Sequence, residues 1–206
     1  GSSADPKNKS GLAYLVSGLL DEGAGDMDSK SFQTFLERNS ISLSFSARMD
    51  TFSGTVTTLT ETKEEAFKSL RLALTVPRFD EGPISRVKSQ ILASLRASEE
   101  NPNKIAGRLW WQLAFPNHAY GRSKKGSATS IENITQEDMR QFVQRTFTKD
   151  NITISVVGDI TPEELSNVLD NVFSDLPESF LGDSVEEGVI ENQGQTVIIE
   201  REIPQS

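Results

Sequence analysis

Apolar residues crowd one stretch near the start of the chain, Ser10-Gly11-Leu12-Ala13-Tyr14-Leu15-Val16-Ser17-Gly18-Leu19-Leu20-Asp21-Glu22-Gly23. Such density predicts a helix buried on most of its sides. Ser10 stands where an N-cap is wanted, and Gly23 where a left-handed residue ends the run. Tyr14, Ser17 and Gly18 interrupt the apolar character at i, i+3 and i+4, so they share one face.

Downstream, Asp28 or Ser29 caps a second helix with Phe32, Phe35 and Leu36 inward. Ile41, Leu43, Phe45 and Ala47 alternate with Ser42, Ser44 and Ser46, the period of a half-buried strand. A turn at Met49-Asp50 leads to a second alternating strand, Phe52 to Leu59, and the close spacing predicts an antiparallel hairpin. Thr60 opens a helix striped with Ala66, Phe67, Leu70, Ala73 and Leu74, which Pro77 stops. Asp80 precedes a longer helix carrying Ile84, Val87, Ile91 and Leu95, and Asn101-Pro102 breaks it before another with Ile105, Leu109, Trp110 and Leu113. Trp110 and Trp111 point different ways, one toward the core and one toward an interface.

The loop from Phe115 to Thr129 is glycine-rich and basic. Thr135 caps a helix with Met139, Phe142 and Val143 inward, and Asn151 to Gly158 alternates as a strand. Thr161-Pro162-Glu163-Glu164 is a capping box with proline at the first helical position, followed by a stripe of Leu165, Val168, Leu169, Val172 and Phe173. Residues 1–9 read as a tag remnant (Gly1-Ser2-Ser3) and lead-in, 10–177 as one α+β domain, and 178–206 as an acidic linker ending in a strand, Thr196 to Ile203. The strands form one layer and the helices cover it.

Composition then narrows the chemistry. Among 206 residues the formal net charge is −9 and the basic residues are scattered, which argues against nucleic acid as a partner. No run approaches the ~20 apolar residues of a membrane span. There is no cysteine and one histidine, His118, whereas a zinc site wants at least two His or Cys ligands. A triad of His118, Ser123 and a carboxylate has nothing in the sequence to bring it together, so His118 reads as a loop residue.

Several segments carry a resemblance. Gly-Leu-Ala-Tyr-Leu-Val-Ser-Gly (11–18) is similar to the Gly-Leu-Ala-His-Phe-Leu-Glu-His of zinc peptidases that hold the metal on one helix face. With it come Leu43 to Ala47, Pro77-Arg78-Phe79-Asp80, the Phe115 to Arg122 segment, and Val156-Val157-Gly158-Asp159-Ile160. In that order the chain resembles the pitrilysin/insulinase/mitochondrial processing peptidase family of zinc metallopeptidases, from about Ser10 to Pro177.

The resemblance implies an antiparallel or mixed sheet covered by helices, lacking its first strand or two. It sets Tyr14 at the first histidine, Ser17 at the general-base glutamate, Gly18 at the second histidine and Ser94 at the third ligand, a glutamate in the family. No catalytic residue and no metal ligand is then left. It also implies a substrate-binding role for Tyr14, helped in companion domains by an arginine where this chain has Lys7, and for Ser44, Phe45, Ser46 and Ala47, whose strand pairs with a peptide through its backbone. Against these stand plainer readings: a packed tyrosine, an ordinary core strand, and a Gly18 that lets another helix approach.

The function so implied is that of a non-catalytic domain, with no cofactor of its own. It walls a substrate chamber and supports an active zinc-bearing peptidase subunit, alongside its own C-terminal domain, with peptide as substrate and a periplasmic or envelope location. Two alternatives are a family fold reused as an assembly scaffold, and an active hydrolase using other residues.

Overall fold

The structure is a computed structural model describing residues 1–180, 185–191 and 194–200. It is dominated by helices: α1 (Leu12–Ser17), α2 (Ser29–Arg38), α3 (Lys63–Thr75), α4 (Glu81–Glu99), α5 (Pro102–Ala114), α6 (Ala128–Asn133), α7 (Gln136–Thr146) and α8 (Pro162–Phe173). Strands β1 (Ser42–Ala47) and β2 (Phe52–Thr57) pair antiparallel, with Leu43 opposite Val56 and Ala47 opposite Phe52. The architecture is α+β with a small sheet.

Helix α1 lies at the centre. Leu12, Leu15, Val16, Leu19 and Leu20 are almost fully buried in one core with Val87 and Ile91 of α4 and Met139, Phe142 and Val143 of α7. A second core joins Phe32 and Leu36 of α2 to Leu43 of β1 and to Ala66 and Ala73 of α3. The predicted caps of three helices are present. Asp28 accepts from the Ser31 N–H at 2.8 Å, and capping boxes join Thr135 to Asp138 and Thr161 to Glu164. Asn101 caps α5 by accepting from the Lys104 N–H.

Helix α1 is shorter than its apolar run. Its C-cap is Gly18, after which the chain tightens into i→i−3 bonds: the N–H of Leu19 donates to the Val16 carbonyl at 2.9 Å, and that of Glu22 to Leu19 at 3.1 Å. Ser10 does not cap it. The N-cap is Gly11 at φ 93°, and Asp5 supplies the acceptor, its two carboxylate oxygens taking the Gly11 and Ala13 N–H groups at 2.9 and 3.0 Å. Ser2, Ser3 and Asp5 of the first nine residues thus pack into the body of the fold. The Ser2 and Ser3 N–H groups bond the Arg48 and Met49 carbonyls in the hairpin turn, and both serines are buried.

Four other expectations need correction. Asn151 to Gly158 makes no strand: Ile154, Val156 and Val157 stay exposed, because an alternating segment becomes a strand only beside a neighbour that takes its backbone bonds. Residues 196–200 of the expected final strand are also non-strand, and its remaining positions lie outside the described residues. Trp110 and Trp111 are both exposed, 54% and 44%, stacked edge to face on each other at 5.0 Å. The predicted stripe of α8 is largely half-buried, with Val172 alone buried, since the helix lies at the rim on α3 through Lys63–Glu164 and Arg71–Asp175.

The hairpin is fastened to α7 by rings. Phe52 sits 5.1 Å from Phe147 and 5.7 Å from Phe142, centroid to centroid. Phe52→Ala is expected to destabilise the chain by about 2 kcal/mol, below the range for a fully buried phenylalanine because Phe52 is half-buried. Urea denaturation checks it.

Candidate functional site

The face of interest is the polar side of α1 where it meets α4. Tyr14 is half-buried at its middle, and Ser17 is buried one turn on. The Ser17 hydroxyl donates to the Tyr14 carbonyl at 2.8 Å, so the helix itself uses it. Gly18 faces Val87: a Cβ added there would lie 3.2 Å from the valine Cγ1. Gly18 is therefore what lets α1 and α4 come close.

Ser94 lies on α4 and is linked to Tyr14 through a residue that the motifs do not mark. Lys125 Nζ donates to Ser94 Oγ at 2.7 Å and sits 5.4 Å from the centre of the Tyr14 ring. Within ~6 Å an ammonium over an aromatic ring is attracted by the ring's quadrupole. The structure thus brings Tyr14 and Ser94 together around one cation.

Local backbone geometry delivers that lysine. Gly126 follows it at φ 73°, and the Gly126 N–H bonds the Ser123 carbonyl at 2.9 Å. Ser130 Oγ at the start of α6 donates to the Ser10 carbonyl at 2.8 Å. The Ser10–Gly11 and Lys125–Gly126 segments cross with no spare room: a Cβ on Gly11 would meet the Lys125 carbonyl at 2.7 Å, and one on Gly126 the Ser10 carbonyl at 2.1 Å. Arg122, earlier in the loop, ties it down by donating to the Asp5 and Ser3 carbonyls at 2.9 and 3.2 Å.

The other candidates fall elsewhere. Ser44 and Ser46 point to solvent, while Phe45 is half-buried and Ala47 buried, so the four strand residues divide between two faces. Lys7 is exposed. His118 is held locally: Nδ1 accepts from the Tyr120 N–H at 3.1 Å and Nε2 lies 2.8 Å from the Glu186 carbonyl. Ser123 Oγ accepts from the Lys125 N–H at 3.2 Å.

The residues do not fit a zinc ion. Positions 14, 17, 18 and 94 offer a phenol, two hydroxyls already bonded and a glycine backed by Val87, whereas zinc is held by imidazole, thiolate or carboxylate. Among the described residues no group of three or more histidines and carboxylates could hold a metal.

Burial shapes one more group beside the face. Asp5 is 3% exposed, and burial pushes its carboxyl up to about 6, against donation from the Ala13 and Gly11 N–H groups and the nearby charge of Arg122. Lys125 and Asp5 both escaped the sequence reading. For Lys125 the only signal is that it belongs to the adjacent pair Lys124-Lys125, followed by a glycine.

Comparison with known proteins identifies the family and the fold. Residues 1–127, more than half of the chain, match the family model described as Insulinase (Peptidase family M16). The chain belongs to peptidase family M16. Residues 133–206 match a second M16 model, described as Peptidase M16 inactive domain. A relative from Helicobacter pylori named Non-peptidase homolog YmxG is 28% identical over 86% of this M16 chain, which spans 41% of that protein. The crystal structure of a peptidase M16 inactive domain from Pseudomonas fluorescens superposes with a TM-score of 0.85 at 24% identity, over 91% of this chain and 46% of the other. The periplasmic protease PqqL from Escherichia coli superposes at 0.78 with 17% identity, over 94% of this chain and 22% of its own. At these identities the two structures speak for the shared M16 fold.

Proposed function

We propose that this chain is a non-catalytic domain of an M16 peptidase assembly, which walls the peptide chamber and supports an active zinc-bearing partner subunit. One observation carries the reading: at all four positions matching the family's ligands and base, the side chain is either absent or committed to the chain's own contacts. Ser17 bonds α1, Ser94 holds Lys125, Gly18 packs on Val87, and Tyr14 lies under the ammonium. The inactive-domain model and the non-peptidase relative support the same reading. Tyr14, through its hydroxyl beyond the ring that Lys125 covers, and the β1 residues Ser44 to Ala47 are the groups that would touch a peptide, and the compartment that suits the reading is the periplasm or envelope.

The test is co-purification from the native organism with the whole protein. An M16 subunit carrying an intact His-x-x-Glu-His should come with it, and that subunit's peptidase rate should fall at least tenfold when this protein is withheld. Stoichiometric zinc in the purified chain, with chelator-sensitive cleavage of a peptide library, overturns the proposal.

A further inference from the structure

We infer that Lys125 is the resident cation of the α1–α4 face: its ammonium stands between Tyr14 and Ser94 and bars a divalent metal from that face. Two contacts carry this, the 2.7 Å hydrogen bond to Ser94 Oγ and the 5.4 Å approach to the Tyr14 ring. A lysine reaches such a position through a flexible four-carbon stem and then acts as a compact point charge with three donors and no acceptor. It can satisfy a hydroxyl and a ring face, but it can neither ligate a metal while protonated nor tolerate one within a few ångström, since like charges repel strongly where the surroundings are partly desolvated.

The stem is also aimed rather than free. Its backbone is pinned by the crossing of Lys125–Gly126 with Ser10–Gly11, by the Ser123 hydroxyl on its N–H, and by Arg122 at the base of the loop. A carboxylate introduced at position 94 would therefore find an ammonium already at hydrogen-bond distance. The absence of metal ligands and the presence of this cation are two separate features of the face. The first removes affinity for a metal, and the second opposes its binding.

Two measurements on this 206-residue chain test it. By NMR, the ε-methylene signals of Lys125 should be shifted upfield by the Tyr14 ring and return toward free-lysine values in Tyr14→Leu; signals at free-lysine values in the native chain overturn the placement. By zinc titration, the triple variant Tyr14→His, Gly18→His, Ser94→Glu, which supplies two imidazoles and a carboxylate, should bind at least tenfold more weakly than the same variant with Lys125→Met added. Equal zinc affinities overturn the metal-barring role. If the variants fail to fold, the NMR comparison of the native chain still decides whether the cation is there. Both read the chain alone, so failure here leaves the assembly proposal standing, and failure to find a partner leaves this one standing.

Discussion

Gly126→Ala is expected to destabilise the chain by about 4 kcal/mol, combining the strain of a side chain at positive φ with a collision that packed surroundings cannot absorb. Gly126 sits at φ 73°, and its added Cβ would fall 2.1 Å from the Ser10 carbonyl oxygen and 2.7 Å from Ser130 Oγ. The first obstacle is backbone, so the loop must back away from the start of α1. Lys125 would move with it, and its ring-shifted signals should collapse alongside the loss of stability. Chemical denaturation and the NMR spectrum of the same sample check both halves. A variant as stable as the parent would mean that the crossing of the two segments is loose.

Asp5→Ala should destabilise by about 3 kcal/mol, since the Gly11 and Ala13 N–H groups at the buried start of α1 would lose their acceptor. Its pH behaviour has a definite sign. Burial holds the folded-state value at about 6, above the 3.8 of a free aspartate, so folding favours the protonated form. The contribution is fully present below pH ~4 and is lost as the pH rises through ~6. A shift of that size corresponds to roughly 3 kcal/mol across the window, as an order of magnitude. In Asp5→Asn this part of the stability profile should flatten. Thermal melts of the two chains between pH 4 and 7 would reveal it, and parallel profiles would contradict it.

Much of this fold was legible because its signals are local. The Asp28, Thr135 and Thr161 caps need only their own next three residues, and the serine alternation of β1 needs only the period of a strand. Where the reading failed, the deciding group lay outside the few residues that the local signal covers. Ser10 looked like the cap of α1, but a buried carboxylate six residues before Gly11 does the work. The run through Gly23 looked like one helix, but α1 ends at the Gly18 C-cap and the chain goes on in i→i−3 bonds. Segment 151–158 has the alternation of a strand and no described neighbour to pair with, and alternation alone cannot supply one. At the candidate site the degenerate positions were visible as a motif. Lys125 was not, because its meeting with Ser94 spans 31 residues and depends on the glycine crossing.

The exposed indoles have a practical consequence. The chain's two tryptophans are neighbours at one end of α5, ringed by Phe115 and Tyr120, while the packing around α1 contains none. Intrinsic fluorescence will therefore watch one outer corner, whereas circular dichroism sums over all eight described helices. If the two optical signals change together on heating, that corner melts as part of a single cooperative unit.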